Sequence, residues 1–165
     1  MASSPPSSVE VPHSPMTMRI NDDLPNFVVE HVDTDADGVV HFSRYFSMLE
    51  SSVLWRLEQI GIGQLPSDHS FAVASAQMTY YRPCRYADQV AVNLQIAGLR
   101  ATSFTFKGEL RISSTDPDAG GMCAAQGQLQ FCTVNLNSGR AVRLPSEISR
   151  GLTAEFRNQQ HSQQR

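Results

Sequence analysis

The sequence predicts an α+β domain in which an antiparallel sheet wraps around one long helix. One long segment, residues 43–60, carries apolar residues at helical spacing. Several later segments alternate apolar and polar residues, which is typical of half-buried antiparallel strands. Because a helix with one broad apolar face must lie against something equally broad, wrapping the sheet around it is the simplest packing.

The first elements follow from local composition. Residues 26–32 are rich in β-branched side chains and are predicted to form a strand. Ser43 suits the N-cap of the helix, and Gly61 follows the last periodic residue as a C-terminal glycine should. The apolar residues that predict the helix are spaced by three or four: Phe46, Leu49, Val53, Leu57 and Ile60.

The sheet is predicted from the segments after the helix. Residues 114–121 form a strong turn signal, so separate strands should lie on either side of them. The polarity pattern of the last long strand slips near Cys132, which indicates a β-bulge. The predicted strands cover residues 71–81, 90–96, 104–112, 122–136 and, as a short final strand, 140–144.

The composition indicates one folded domain between two tails. Residues 1–17 are rich in Ser and Pro, and both they and residues 157–165 are predicted to be disordered, which leaves a folded domain over 18–156. The three cysteines show no Cys-x-x-Cys spacing and are expected to be free thiols. A net charge of −3 gives no footprint for nucleic acid, and no apolar run is long enough for a membrane span, so we expect a cytoplasmic protein.

An acidic run over residues 32–43 carries most of the chemical information. Three aspartates alternate there and a glycine follows them: Asp33, Asp35, Asp37 and Gly38. This spacing matches the opening half of an EF-hand calcium loop, whose last ligand must be a bidentate Glu. That position is Arg44, whose charge opposes a metal ion. The crowded carboxylates therefore favour an acid held for chemistry over a cation site.

The motif Asp-x-Asp-x-x-Gly-Val-Val over residues 33–40, placed just before the long helix, resembles the hotdog-fold acyl-CoA thioesterases. The subgroup that it resembles is that of 4-hydroxybenzoyl-CoA thioesterase. This subgroup includes the short-chain acyl-CoA hydrolases of bacterial Tol-Pal operons and the 1,4-dihydroxy-2-naphthoyl-CoA hydrolases. The resemblance covers about residues 25–145 and implies a single hotdog domain.

The resemblance also implies a catalytic pair. In that family the second Asp of the motif is the catalytic carboxylate, which here is Asp35. A backbone N–H at the helix entrance polarises the thioester carbonyl, and this role falls on Phe42. The unpaired N–H groups and positive dipole end of a helix suit an oxyanion. The carboxylate acts as nucleophile or as general base, and no cofactor is implied beyond the CoA or phosphopantetheine of the substrate.

Four further residues are candidates for the site. His41 would hydrogen-bond the substrate or leaving group, or else have a local structural role. Glu50 lies two helical turns after the helix start, where relatives often carry an acid; it would support the site or a dimer contact, or be a surface residue. Arg82 and Arg85 follow a strand end and suit contacts with CoA or phosphopantetheine phosphates, with a generic surface position as the alternative.

The chain departs from the family pattern in ways that leave the acyl group open. Asp37 stands where the family usually has Gly or Ala, and the pair His41–Phe42 replaces a commoner Tyr-His or Trp-Tyr pair. Aromatic residues that would either line an acyl pocket or belong to the core are Phe42, Tyr45, Phe71, Tyr80 and Tyr81.

We therefore expect a thioesterase acting on an acyl-CoA or acyl-carrier-protein thioester with an aryl, polyketide or medium-chain acyl group. Family members are dimers that commonly pair into tetramers, with the active site at the dimer interface, so the resemblance implies a homo-oligomer. Two alternatives stay open. One is a non-catalytic hotdog module that binds acyl thioesters or aromatic ligands, and the other is a hotdog dehydratase or hydratase, which relies on a His and a differently placed acid.

Overall fold

The computed structural model describes residues 18–21, 24–62, 64–113 and 121–162. In these ranges the chain forms one antiparallel sheet of six strands and two α-helices. The strands are β1 (Met18–Asn21), β2 (Leu24–Val28), β3 (His69–Tyr80), β4 (Gln89–Leu99), β5 (Ser103–Ile112) and β6 (Met122–Asn135). The helices are α1 (Phe42–Gln59) and α2 (Ser146–Ser162). The strands lie side by side in the order β1-β2-β4-β5-β6-β3, which leaves β3 at one edge of the sheet.

The predicted arrangement of a sheet around one long helix is confirmed. Helix α1 turns a continuous side towards the sheet, and its buried residues are Tyr45, Met48, Leu49, Ser52, Val53 and Leu57. The sheet approaches the helix closely at Gly108, where an added Cβ would lie 2.2 Å from Cδ1 of Leu49. Burying each large apolar side chain contributes roughly 1.5–3 kcal/mol, so the packing of α1 on the sheet stabilises the fold substantially.

The two ends of α1 differ in how well the sequence predicted them. Gly61 has a φ of +77°, as expected of the glycine that ends a helix. The N-cap is His41 and not Ser43, which is already inside the first turn. His41 has extended backbone dihedral angles, and its Nδ1 accepts a hydrogen bond from the Ser43 N–H at 3.4 Å. A ring nitrogen thus takes the place of the predicted hydroxyl cap.

The strand predicted over residues 26–32 is wrong in its second half. Strand β2 ends at Val28, and residues His31–Asp33 form a single 3-10 turn. This turn is closed by the Asp33 carboxylate, which accepts the Glu30 N–H at 2.8 Å. A side chain that satisfies the backbone locally competes with strand pairing, and here it overrides the β-branched composition.

The predicted β-bulge near Cys132 is misplaced. In β6 the extra residue is Ala124, since the pairing with β5 shifts between Leu110 and Arg111. A second irregularity does lie opposite the Cys132 region, but the extra residue belongs to the neighbouring strand β3, at Ala74. The short strand predicted over 140–144 is reduced to an isolated bridge between Val134 and Ala141.

Helix α2 was not predicted, and it corrects the tail assigned to residues 157–165. It continues through Ser162, with residues 163–165 outside the described ranges. Strand β2 pairs with β4 only at residues 89–91, so the backbone groups along the rest of that edge of β4 require other partners. The amide oxygen of Gln159 accepts the Ile96 N–H of β4 at 2.8 Å, and Glu155 forms an ion pair with Arg56 of α1.

The remaining predictions on chain organisation have mixed outcomes. The tail predicted over residues 1–17 lies outside the described ranges, so the N-terminal boundary of the folded domain stays a prediction. Neither of the two helices in the described ranges combines the length and apolar character that a membrane crossing requires.

Candidate active site

The loop before α1 holds Asp35 in a tight turn. The Asp35 N–H donates to the Val39 carbonyl at 2.8 Å, and Gly38, with a φ of +73°, returns an N–H to the Asp35 carbonyl. One carboxylate oxygen of Asp35, Oδ1, accepts the N–H groups of Asp37 at 2.9 Å and Val39 at 3.4 Å. The carboxylate is exposed, and its Oδ2 has no hydrogen-bond partner among the described residues. The turn therefore orients the carboxylate and leaves one oxygen available.

Asp33 has a structural role in this loop. It is only 1% exposed and forms an ion pair with Arg44, whose Nε donates to Oδ1 at 2.8 Å. Its backbone carbonyl also accepts the His41 N–H at 2.9 Å. Arg44 occupies Oδ1 of Asp33 and the Glu30 N–H occupies Oδ2, so neither oxygen of this carboxylate is open to a cation. This pair ties the acidic loop to the first turn of α1.

The entrance of α1 presents a backbone donor. Ser43 and Arg44 direct their N–H groups to Nδ1 and the carbonyl oxygen of His41. The Phe42 N–H has no hydrogen-bond partner in the described part of the chain. An unpaired N–H at the positive end of a helix dipole suits a carbonyl oxygen or an oxyanion. Nδ1 of His41 also lies 2.8 Å from the Ser43 hydroxyl oxygen, and His41 as a whole is exposed.

Tyr80 is a residue at this entrance whose position the sequence did not specify. Its hydroxyl donates to the Phe42 carbonyl at 3.0 Å, and its ring packs edge-on against Tyr45 at 5.3 Å. Burial raises the pKa of Tyr80, so the phenol remains a donor at neutral pH. The contact joins the end of β3 to the start of α1 across 38 residues of sequence. Only the aromatic character of Tyr80 was visible beforehand.

The other predicted residues are only partly brought together. Arg85 lies beside the acidic loop, because residues Val39 and Arg85 form an antiparallel bridge. Arg82 lies at the end of β3, where its N–H donates to Ala124, and both arginines are exposed. Glu50 is exposed on α1, and no described contact links it to Asp35. The acidic loop and the helix entrance thus bring Asp35, His41, Phe42 and Arg85 into one region, whereas no contact among the described residues links Glu50 or Arg82 to Asp35.

The acidic loop is bordered by a pair of stacked aromatic rings. Sequence reasoning did not predict this pair. The His31 and Tyr86 rings stack at 3.8 Å with an interplanar angle of 6°. His31 is exposed and belongs to the 3-10 turn His31–Asp33. The spacing of His31 and Tyr86 does not predict the stacking, because backbone hydrogen bonds between Val29 and residues 87–88 bring the two segments together.

Neither a metal cluster nor a reactive thiol marks this region. The described residues contain no group of three or more His, Cys, Asp or Glu side chains placed to hold a metal ion. Cys84 is fully buried, and its N–H donates to the Tyr45 hydroxyl at 3.0 Å. Burial raises the pKa of the Cys84 thiol to about 11, which keeps it neutral and unreactive at physiological pH.

The fold and the helix entrance together define a class, that of the hotdog-fold proteins. A protein of Thermus thermophilus, described as hypothetical protein TT1821, superposes with a TM-score of 0.71 and 25% identity, covering 80% of this chain and 98% of that one. The protein SAV2348 of Staphylococcus aureus, solved in complex with CoA, superposes with a TM-score of 0.72 over 87% of this chain and 86% of its own, at 14% identity. At that identity the second likeness concerns the fold alone.

The sequence narrows the class to a family. Residues 29–152 match the profile of the thioesterase-like superfamily, and the chain belongs to that superfamily. A 1,4-dihydroxy-2-naphthoyl-CoA hydrolase of Prochlorococcus marinus is 25% identical over 138 residues, 77% of this chain and 87% of the relative. An enzyme of the same name from Crocosphaera subtropica is 29% identical over 86 residues, 50% of this chain. That second alignment spans 63% of the relative's own length, less than two thirds.

Proposed function

We propose that this protein hydrolyses the thioester bond of an acyl-CoA, with Asp35 as the catalytic carboxylate and the Phe42 N–H as the oxyanion donor. The observation that carries the proposal is that, among the described residues, the Phe42 N–H has no partner and the adjacent loop leaves Oδ2 of Asp35 without one. Membership of the thioesterase-like superfamily supports the same reaction. A single donor of this kind contributes about 2.7–4 kcal/mol to the transition state in other enzymes.

The reaction follows from these two groups. The thioester carbonyl oxygen accepts the Phe42 N–H, which stabilises the negative charge that develops when the carbonyl carbon is attacked. Asp35 either attacks the carbon itself or takes a proton from an attacking water. In both routes the carbon–sulfur bond breaks, the thiolate leaves and takes up a proton, and water supplies the second oxygen of the product acid.

His41 supports the site through α1. Its ring caps the helix whose first N–H is the proposed oxyanion donor, and His41 is exposed at the helix entrance. We propose that the His41 ring hydrogen-bonds the acyl or sulfur side of the substrate. Arg85, anchored beside the loop through Val39, is the better placed of the two arginines for a CoA phosphate.

The proposed substrate is an aryl-CoA. Aromatic side chains surround the helix entrance and are still open to solvent: Phe42 is 61% exposed, Tyr80 44% and Tyr81 55%. Planar rings of this kind suit an aromatic acyl group by stacking. Two relatives named as 1,4-dihydroxy-2-naphthoyl-CoA hydrolases act on such a group. Polyketide or medium-chain acyl groups, carrier-protein thioesters and a cytoplasmic location stay predictions.

We further propose a homodimer that pairs through β3. This edge strand is 12 residues long and has no Lys, Arg, Asp, Glu or Pro to block pairing with another strand. Its central residues 73–77 are exposed. A second copy running antiparallel would satisfy the unpaired backbone groups and shield the open helix entrance from water. Whether two dimers assemble into the predicted tetramer stays a prediction.

A panel of CoA thioesters tests the proposed reaction. Thiol release would be measured with benzoyl-, 4-hydroxybenzoyl-, 2-naphthoyl- and octanoyl-CoA, together with the carrier-protein thioesters. We expect catalytic turnover, highest with the aryl-CoA thioesters. Saturable binding without release of thiol from any member would contradict hydrolysis and favour a non-catalytic binding module. Highest turnover on a carrier-protein thioester would contradict the CoA assignment alone.

A further inference from the structure

A second pair of titratable groups lies far from Asp35 in the single chain. The Nδ1 atom of His69 is 2.7 Å from Oδ1 of Asp68, and Asn135 donates to the other carboxylate oxygen of Asp68 at 3.0 Å. The His69 hydrogen bond lowers the pKa of Asp68. With Nδ1 committed to the carboxylate, Nε2 of His69 makes no hydrogen bond within the described ranges. An imidazole oriented by a carboxylate in this way is the usual form of a general base.

The pair cannot act on Asp35 of its own chain. His69 begins β3 and Tyr80 ends it, and Tyr80 is the residue that contacts the helix entrance. At about 3.3 Å per residue the two ends of this strand lie roughly 36 Å apart. A function for the pair at the thioester site therefore requires a second chain.

The faces of β3 restrict how two copies would pair. The bulge at Ala74 shifts the alternation, so that His69, Phe71 and Val73 lie on the same face as Ala76, Met78 and Tyr80. The ring contacts of Phe71 with Phe104 and of Tyr80 with Tyr45 show that this is the helix side. Residues directly opposite each other in an antiparallel pair share a face.

One antiparallel register of the two β3 strands places residues of the same face opposite each other. It also centres the twofold axis on the exposed residues 73–77. It places Val73 opposite Ala76, Phe71 opposite Met78 and His69 opposite Tyr80, with the axis between Ala74 and Ser75. The charges agree with it, because the acidic start of β3, at Asp68, comes close to the basic Arg82 that follows the other copy's strand. The occupant of this edge is thus a second copy of the same chain.

We propose that the Asp68–His69 pair of one subunit completes the thioester site of the other. The inference rests on the proposed function. Of the two routes given there, it assigns Asp35 the role of nucleophile. Asp35 bonds to the acyl carbon, the carbon–sulfur bond breaks, and the departing thiolate is protonated by solvent. A water oxygen then bonds to the acyl carbon while its proton passes to Nε2 of His69 of the partner subunit. The bond from the acyl carbon to Asp35 breaks, which releases the acid and the free carboxylate.

The first test is the kinetics of His69→Gln with the best aryl-CoA. Thiol release should show a burst of about one equivalent per site, followed by turnover at least about tenfold slower than the parent's. Mass spectrometry should find the acyl group on Asp35. Asp68→Asn should show a weaker form of the same defect, and His161→Gln, an exposed histidine on α2, serves as the control. A His69→Gln dimer with parental turnover and no burst would overturn the inference.

The second test asks whether the site is shared between subunits. A mixed dimer of Asp35→Asn and His69→Gln, isolated with two different tags, contains one intact site and one doubly defective site. It should recover roughly half of the parent's activity per dimer, although both homodimers are impaired. No recovery would overturn the shared site. A fully active Asp35→Asn homodimer would instead overturn the proposed function.

The pairing of the two β3 strands can be tested separately, through the oligomeric state of the protein. Ser75→Asp places two carboxylates beside the twofold axis, where like charges oppose each other, and should shift the protein to a monomer in light-scattering measurements. Ser75→Asn, which is neutral and of the same size, should remain a dimer. A Ser75→Asp protein that stays dimeric and active would contradict pairing through β3.

Discussion

At the scale of single residues, the ion pair with Arg44 offsets part of the free-energy cost of burying the Asp33 carboxylate. A carboxylate that is 1% exposed carries a large desolvation cost, which its ion pair and the Glu30 N–H offset. The same pair fixes the loop that carries Asp35 against the first turn of α1. Structural and proposed catalytic acids thus alternate along one short segment, and their different burial separates the two roles.

Replacing Arg44 by Ala should lower the free energy of unfolding by about 2–3 kcal/mol, because it leaves the Asp33 carboxylate buried without a partner. Urea denaturation measures the change. The double variant Asp33→Asn/Arg44→Met removes both charges and should recover much of the loss. A change below about 0.5 kcal/mol in Arg44→Ala would show that this pair is no stronger than an exposed one.

The residues of the proposed site were predictable where they are local. Asp35 and Phe42 belong to one short motif next to a helix, so their proximity follows from the sequence alone. Tyr80 reaches Phe42 across 38 residues through the sheet, and the Asp68–His69 pair would reach the site only through a second chain. Spacing along one chain carries no information on such contacts.

At the scale of elements, the sequence predicted what is periodic and missed what depends on neighbours. Helix α1 has a continuous apolar stripe and was found almost to the residue. Helix α2 carries a thinner stripe, at Ile148, Leu152 and Phe156, and ends in polar residues that resemble a tail. Its partner is the edge of β4 that β2 leaves uncovered. The uncovered edge of β4 can be recognised only once the order of the strands in the sheet is known.

Leu152→Ala tests how firmly α2 is docked. Leu152 is fully buried, so its truncation should lower the free energy of unfolding by about 2–4 kcal/mol. Gln160→Ala, at an exposed position of the same helix, should change it by less than about 0.5 kcal/mol. Equal effects of the two substitutions in urea denaturation would argue against α2 as a packed part of the domain.

At the scale of the whole molecule, a buried pair of weak acids connects the site to the core. The Tyr45 hydroxyl and Cys84 lie in contact beneath the helix entrance, and burial raises the pKa of both groups. Each must therefore stay neutral in the folded protein. Because the pKa of the Cys84 thiol is raised from 9.0 to about 11 on folding, the stability linked to its neutral form is present below pH 9 and is lost as the pH rises towards 11. The pKa of Tyr45 is raised further still, so its contribution is lost only at higher pH.

The free energy of unfolding should therefore fall between pH 9 and pH 11 more steeply in the parent than in Cys84→Ala. Denaturation series at several pH values measure the slope. Iodoacetamide should leave Cys84 unmodified in the folded protein at pH 8 and modify it after denaturation. Rapid modification of Cys84 in the folded state would contradict its burial.

The most direct test of the whole account is the rate of thioester hydrolysis by Asp35→Asn. Asparagine keeps the oxygen that accepts the Asp37 and Val39 N–H groups, so the loop and the circular dichroism spectrum should be unchanged. The neighbouring exposed Asp37→Asn is the matched control and should retain activity. We predict that Asp35→Asn lowers kcat/KM on the preferred aryl-CoA by at least about 100-fold. Activity of Asp35→Asn within a few-fold of the parent would contradict the assignment of Asp35 as the catalytic carboxylate.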